Sequence, residues 1–107
     1  MNAEKYTYRV IWSEEDKEFI GLCTEFPSLS WLDKTQGAAL NGINKVVSDV
    51  LKDMKKHNEE IPEPISTRKF SGKLMVRIPP EMHKKLAIEA EEENISLNRL
   101  ISSKLAS

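Results

Sequence analysis

Apolar and polar side chains alternate from residue 6 to residue 12, with Tyr6, Tyr8, Val10 and Trp12 sharing one side of an extended chain. A period of two is the mark of a β-strand. The polar break Ser13-Glu14-Glu15-Asp16-Lys17 follows, and Phe19-Ile20-Gly21-Leu22-Cys23-Thr24 resumes the strand pattern. Two such runs across a short polar break predict an antiparallel hairpin. Pro27-Ser28 interrupts the chain, and Leu29-Ser30-Trp31-Leu32 offers a third short strand, so residues 5–33 are expected to form a β-meander.

The period then changes. Ala39, Ile43, Val46, Val47, Val50, Leu51 and Met54 recur at three and four residues, the stripe of an amphipathic helix. Thr35 is placed to cap it, because its hydroxyl can satisfy an amide of the first turn. The spacing predicts a helix over about 36–56 that covers one face of the three-stranded sheet. Gly42 would allow close approach between helix and sheet. The other sheet face stays uncovered and is expected to carry part of the aromatic set, as a partner or self-association surface.

Glu59-Glu60-Ile61-Pro62-Glu63-Pro64 ends the helix, since proline lacks an amide donor and disfavours helical geometry before it. Residues 57–72 are therefore expected to be a partly stiff tether. Beyond it, Lys73-Leu74-Met75-Val76-Arg77-Ile78 alternates again, with Leu74, Val76 and Ile78 on one face and Lys73, Met75 and Arg77 on the other. Pro79 ends that strand and Pro80 suits the first position of a helix. This helix would turn Met82, Leu86 and Ala90 inward, with Asn94 as its C-terminal cap. Ser96 would cap a second helix with Leu97, Leu100, Ile101 and Leu105 inward. The expected organisation is a domain over 1–56, a linker over 57–72 and a second domain over 73–107.

A strand and two helices in so short a segment cannot bury enough surface to fold alone. A single strand also leaves its backbone groups unpaired. Both difficulties vanish if two chains pair these strands antiparallel and interlock their helices. The expected dimer core is Leu74, Val76, Ile78, Leu86, Leu100 and Ile101.

Charge sharpens this division. The formal net charge of −1 conceals 8 Lys/Arg against 12 Asp/Glu in residues 1–66, and 8 against 5 in residues 67–107. Within 67–85, six basic residues oppose only Glu81, a concentrated anion-binding segment. No apolar run approaches the roughly 18 residues needed to span a bilayer, and no signal peptide is visible, so a cytoplasmic location without membrane contact is expected. The lone Cys23 can form no internal disulfide.

Candidate chemistry is sparse. Glu14, Glu15, Asp16 and Glu18 crowd one turn, and Asp33 and Asp49 add no metal-ligand spacing to them. His57 ends a helix where a cation suits the dipole. His83 lies beside Lys84 and Lys85, as a surface residue would. No serine, cysteine and histidine combine into a nucleophilic set, so neither an enzyme nor a cofactor is expected.

The order of elements from Lys73 to Leu105 resembles a ribbon-helix-helix DNA-binding domain of the Arc/MetJ type. The resemblance implies that paired strands enter the major groove and that Lys73, Met75 and Arg77 face the bases. Arg77 would take guanine O6 and N7 in bidentate fashion, and Lys73 the same target or a phosphate. Met75 departs from the polar residue common at the middle position and suits only a thymine methyl or a sugar. Ser96, Leu97 and Asn98, opening the last helix, would present amides to a phosphate.

Further upstream, Tyr8-Arg9-Val10-Ile11-Trp12-Ser13, then Phe19 to Ser30, then Thr35 and Ala38 to Ile43, resemble the HicB antitoxin family, so that the likeness spans about residues 6–105. It implies an α+β chain: a truncated RNase H-like domain of three antiparallel strands on one helix, followed by the dimerising ribbon-helix-helix. It implies an antitoxin that masks a HicA-like mRNA endoribonuclease and represses its own operon by binding operator DNA. The acidic first domain suits a basic toxin; Glu14, Glu15, Asp16 and Trp31 are the candidate toxin contacts. Where the family often carries acidic residues after the helix-start threonine, this chain has Gln36-Gly37. Homodimers form through the tail on this reading, or tetramers if the first domains also pair. The alternative is a stand-alone regulator or RNA-binding module with no toxin, although a β-ribbon enters the deep A-form groove of RNA poorly.

Overall fold

The computed structural model describes residues 2–107 and divides them into two compact units, one up to Phe70 and the other Ser71–Ser107. In the first unit three antiparallel strands lie in the order β1 (Tyr8–Ser13), β2 (Glu18–Cys23), β3 (Ser30–Asp33). One long helix, α1 (Gln36–Lys56), packs on the sheet. Thr35 caps it as expected, its hydroxyl accepting from the Ala38 amide at 3.1 Å.

The register explains how α1 reaches the sheet. Val10, Gly21 and Trp31 are cross-strand partners, and partners share a face. At Gly21 an added Cβ would lie 2.5 Å from the Ala39 carbonyl oxygen and 2.8 Å from Ile43. Gly21 therefore lets the helix backbone settle directly on the central strand. On the flank of α1, Gly42 leaves room for the Trp31 indole, which an added methyl would overlap. The expected close approach at Gly42 is thus to this ring. Ala3, Tyr6, Cys23, Ile43, Val47 and Leu51 form the buried core, with Tyr8, Phe26, Leu29, Val46 and Ile61 packed around it.

This arrangement corrects the expected composition of the uncovered face. Alternation from Gly21 puts Tyr8, Trp12, Phe19 and Trp31 all on the helix side. Trp12 meets Phe19 edge-on, with centroids 5.0 Å apart. Glycine on the central strand draws the helix in, and the large rings of neighbouring positions fill the space beside it. The open face carries Ile11, Ile20, Leu22 and Leu32 instead.

Residues 57–72 also differ from the tether predicted for them. Ile61 joins the core and Pro64 is buried. The Tyr6 hydroxyl donates to the Pro62 carbonyl at 2.6 Å, and the Ser66 hydroxyl to the Lys5 carbonyl at 2.5 Å. A 3-10 turn, Ile65–Thr67, follows. The helix α1 ends before the prolines expected to stop it: Asn58 turns left-handed (φ 54°) and the Glu59 amide donates back to the Met54 carbonyl at 2.9 Å. The chain that follows is a strap tied to the start of the chain as far as Ser66, and the units divide between Phe70 and Ser71.

In the second unit, α2 (Pro80–Glu92) begins with Pro80 at its first turn, and α3 (Leu97–Ala106) begins under the Ser96 hydroxyl, which accepts from the Arg99 amide at 3.1 Å. The two helices pack on one another through Ala90 and Leu100. The C-terminal cap of α2 is Glu93, one residue before the expected Asn94, which instead takes the left-handed position just after the cap (φ 56°). Residues 73–79 form no strand in the single chain, because a ladder requires a partner and none lies beside them within the unit.

Candidate nucleic-acid interface and partner surfaces

The extended segment before α2 presents its side chains to solvent on both faces. Lys73, Met75 and Arg77 are exposed, Met75 at 89%. Leu74 is 77% and Val76 65% exposed, and only Ile78 is half-buried. Two large aliphatic side chains at alternate positions, both open to water, are an uncommon cost for a folded unit. The Ser71 hydroxyl accepts from the Lys73 amide at 3.1 Å, fixing the turn into the segment where Gly72 takes a positive φ of 82°.

A groove runs between this segment and α3, lined by Gly72 to Val76 and by Asn98, Ile101, Ser102 and Leu105. Of the expected dimer core, Leu100 is buried, Leu86, Ile101 and Ile78 are half-buried, and Leu74 and Val76 are open. Leu105, expected inward, is 78% exposed. Met82, also expected inward, is about half exposed, whereas Ala90 of the same stripe is closed by α3. Within one chain, α2 and α3 offer too little surface to close over residues at the ends of both stripes.

Ser96, Leu97 and Asn98 stand at the start of α3, with Leu97 half-buried and the other two exposed. The amide of Arg99 is taken by the Ser96 cap, so the amides of Leu97 and Asn98 are the ones facing outward from the first turn. No acidic residue occupies this turn, which keeps the positive end of the helix dipole unopposed.

In the first unit, Glu14, Glu15 and Asp16 occupy the β1–β2 turn and are exposed. The turn is ordered by its own side chains. Glu14 accepts from the Trp12 indole at 2.7 Å and pairs with Lys17, while the Ser13 hydroxyl donates to Asp16 at 2.9 Å. The Lys17 ammonium and the Trp12 indole hold the Glu14 carboxyl below its ordinary range. Trp31 is 42% exposed on the flank of α1 and donates to Asp33 at 3.1 Å. Lys34's amide and this indole lower the Asp33 carboxyl likewise.

Two groupings escaped the sequence reading. Asp53, His57 and Glu59 bring one ligand atom each within 4.8 Å of one another at the exposed end of α1. The His57 ring nitrogen Nδ1 lies 2.9 Å from the Asp53 carbonyl oxygen, so the histidine serves as a helix-end cap. The second grouping is Glu25, whose carboxylate accepts from the Thr7 amide at 3.0 Å, the Thr7 hydroxyl at 3.1 Å and the Ile65 amide at 2.8 Å. Partial burial pushes its carboxyl up, but the amides of Ile65 and Thr7 outweigh that and hold it below its ordinary value. Cys23, buried nearby, has its thiol pushed up by burial, the reverse of an activated nucleophile. No helix among the described residues is long and apolar enough to cross a membrane.

Set against known proteins, residues 57–105 match the model of the HicB family, just under half of the chain. The match supports membership of that antitoxin-type family and relates the chain to toxin–antitoxin systems. It covers the strap and the second unit; the resemblance read in residues 6–43 lies outside it. No curated protein and no solved structure matches the chain.

Proposed function

We propose that this chain is an antitoxin that also represses its own operon. Its second unit pairs with the same unit of another copy through residues 73–78, laid antiparallel as a two-stranded ribbon. Leu74, Val76 and Ile78 then face the shared core with Leu86, Leu100 and Ile101, while Lys73, Met75 and Arg77 face the DNA major groove. The observation that carries this reading is the open row Leu74 and Val76, an alternating strand without a ladder partner beside a helix pair that cannot cover it. Pairing satisfies the backbone and buries the row in one step. The face left outward is cationic at Lys73 and Arg77, as an operator requires. The HicB match over the same residues supports the assignment.

The first unit, with 12 acidic against 10 basic residues up to Phe70, supplies the surface for a basic HicA-like toxin. Glu14, Glu15, Asp16 and Trp31 are its proposed contacts. The two Trp–carboxylate bonds hold that chemistry in place before a partner arrives, which reduces the ordering cost of binding.

Fluorescence anisotropy on the chain's own upstream DNA, against a scrambled duplex at two salt concentrations, tests the DNA half. Preferential binding is expected, and Arg77→Ala should weaken it by about 1–3 kcal/mol while leaving the dimer intact. Equal, salt-labile binding to both duplexes overturns sequence reading by the ribbon. Capture of a co-expressed toxin, and its loss in a Glu14→Lys/Asp16→Lys chain, tests the other half.

A further inference from the structure

The register sorts the open face of the first unit's sheet into three rows. Arg9, Leu22 and Ser30 form one; Ile11, Ile20 and Leu32 form the middle; Ser13 and Glu18 form the last. Ile11 and Leu32, on the two edge strands, are each more than 40% exposed, and no element of the unit covers the row. The apolar centre therefore lies between a cation at one end and an anion at the other. Neither Arg9 nor Glu18 forms an ion pair with another described residue.

We infer that this face is a second self-association surface, covered by the same face of another copy of the chain about a two-fold axis that lies across the strands. The charges choose both occupant and axis. A two-fold axis makes a patch its own partner. With the axis across the strands, the middle rows stack on one another at the ordinary ~10 Å spacing of packed sheets. Each Arg9 then meets the Ser13/Glu18 end of the other copy, and the contact is made twice. With the axis along the strands, Glu18 on the central strand would face its own copy, which like charges oppose. The patch is thus self-complementary in one orientation only. A three-stranded face is small beside a standard interface, so the association is expected to be concentration-dependent.

This surface is separate from the tail pairing proposed above, and sedimentation velocity on the full chain distinguishes the two. With both surfaces working, the wild-type chain forms species larger than two chains as concentration rises. Leu32→Lys is expected to stop at two chains, as is Val76→Lys, and the double variant to sediment as one chain. Leu32 is exposed, so the substitution leaves the single unit folded, and the Trp12 and Trp31 fluorescence confirms it. Arg9→Glu alone and Glu18→Arg alone should each weaken the open-face association by about fivefold or more, and the two together should restore it. A Leu32→Lys chain that associates as the wild type does overturns the inference, whether or not it has lost capture of another protein. So does a charge-reversed pair that fails to rescue. If Val76→Lys changes nothing while Leu32→Lys yields single chains, the tail reading fails and the open-face reading stands.

Discussion

Glu25 is the residue whose loss should be felt most widely for the least change in the core. Its carboxylate joins the start of β1 to the strap by accepting the amides of Thr7 and Ile65, residues far apart in sequence, and the Thr7 hydroxyl as well. A hydrogen bond to a charged group contributes roughly 1.5–3 kcal/mol when shielded, and less when water competes. Glu25 is only partly buried, so its two amide bonds together should contribute about 2 kcal/mol to the first unit. Glu25→Ala removes them, and for a domain of this size a loss of about 2 kcal/mol lowers the melting temperature by about 8–16 °C. Both tryptophans lie in the first unit, so their fluorescence reports its unfolding in the full chain. Hydrogen exchange at the Ile65 amide gives the local readout. The carboxyl is held below its ordinary value of 4.5, so its contribution is complete above that pH and is lost as pH falls through the lowered folded value. The melting difference between wild type and Glu25→Ala should therefore close on acidification. An unchanged midpoint together with unchanged Ile65 protection would refute the latch.

The three glycines in contact with or on α1 should respond with opposite signs in the same melting assay. Gly37 has nothing within 4 Å of an added methyl, so Gly37→Ala should stabilise the helix by about 0.5–1 kcal/mol. Gly42→Ala gains the same propensity but overlaps the Trp31 ring, and should destabilise by about 1–3 kcal/mol with a red-shifted tryptophan emission. Gly21→Ala meets the Ala39 backbone, which cannot swing away, and should cost more than Gly42→Ala. In the second unit, Ser96→Ala removes the cap of α3 and should cost about 1 kcal/mol by far-UV circular dichroism melting. A neutral result there would mean that α3 is held by packing alone.

Where the information was local, the sequence was legible. The alternation of residues 8–12, the apolar stripe from Ala39 to Met54 and the capping signals at Thr35, Pro80 and Ser96 all fall on elements that formed. What escaped depends on pairs distant in the chain. Two prolines say only that a helix stops; they carry no sign that Ile61 and Pro64 will be packed against the core. Glu25 sits next to Phe26-Pro27 and looks like any surface carboxylate until Thr7 and Ile65 are brought to it. The face reached by α1 was hidden for a similar reason. It is fixed by the missing side chain at Gly21, and a glycine in a strand pattern does not say which neighbour it admits.

The two units differ in how far a single chain completes them. The first closes a core between sheet, helix and strap, and among the described residues no buried side-chain polar atom lacks a partner. The second buries only Ala90 and Leu100 fully, and leaves Leu74, Val76 and Leu105 in water. Its alternating segment cannot be a strand by itself, since a strand is defined by what it pairs with. The same substitution should therefore have different consequences in the two units. A charge placed at Leu32 changes how many chains associate and leaves the first unit's melting where it was. A charge at Val76 should lower the second unit's own stability, because its fold and its pairing are one event and depend on chain concentration. Melting of Val76→Lys by far-UV circular dichroism at two concentrations decides this. The wild type should show a concentration-dependent transition that the variant lacks, and a second unit that melts identically in both would be a self-sufficient domain.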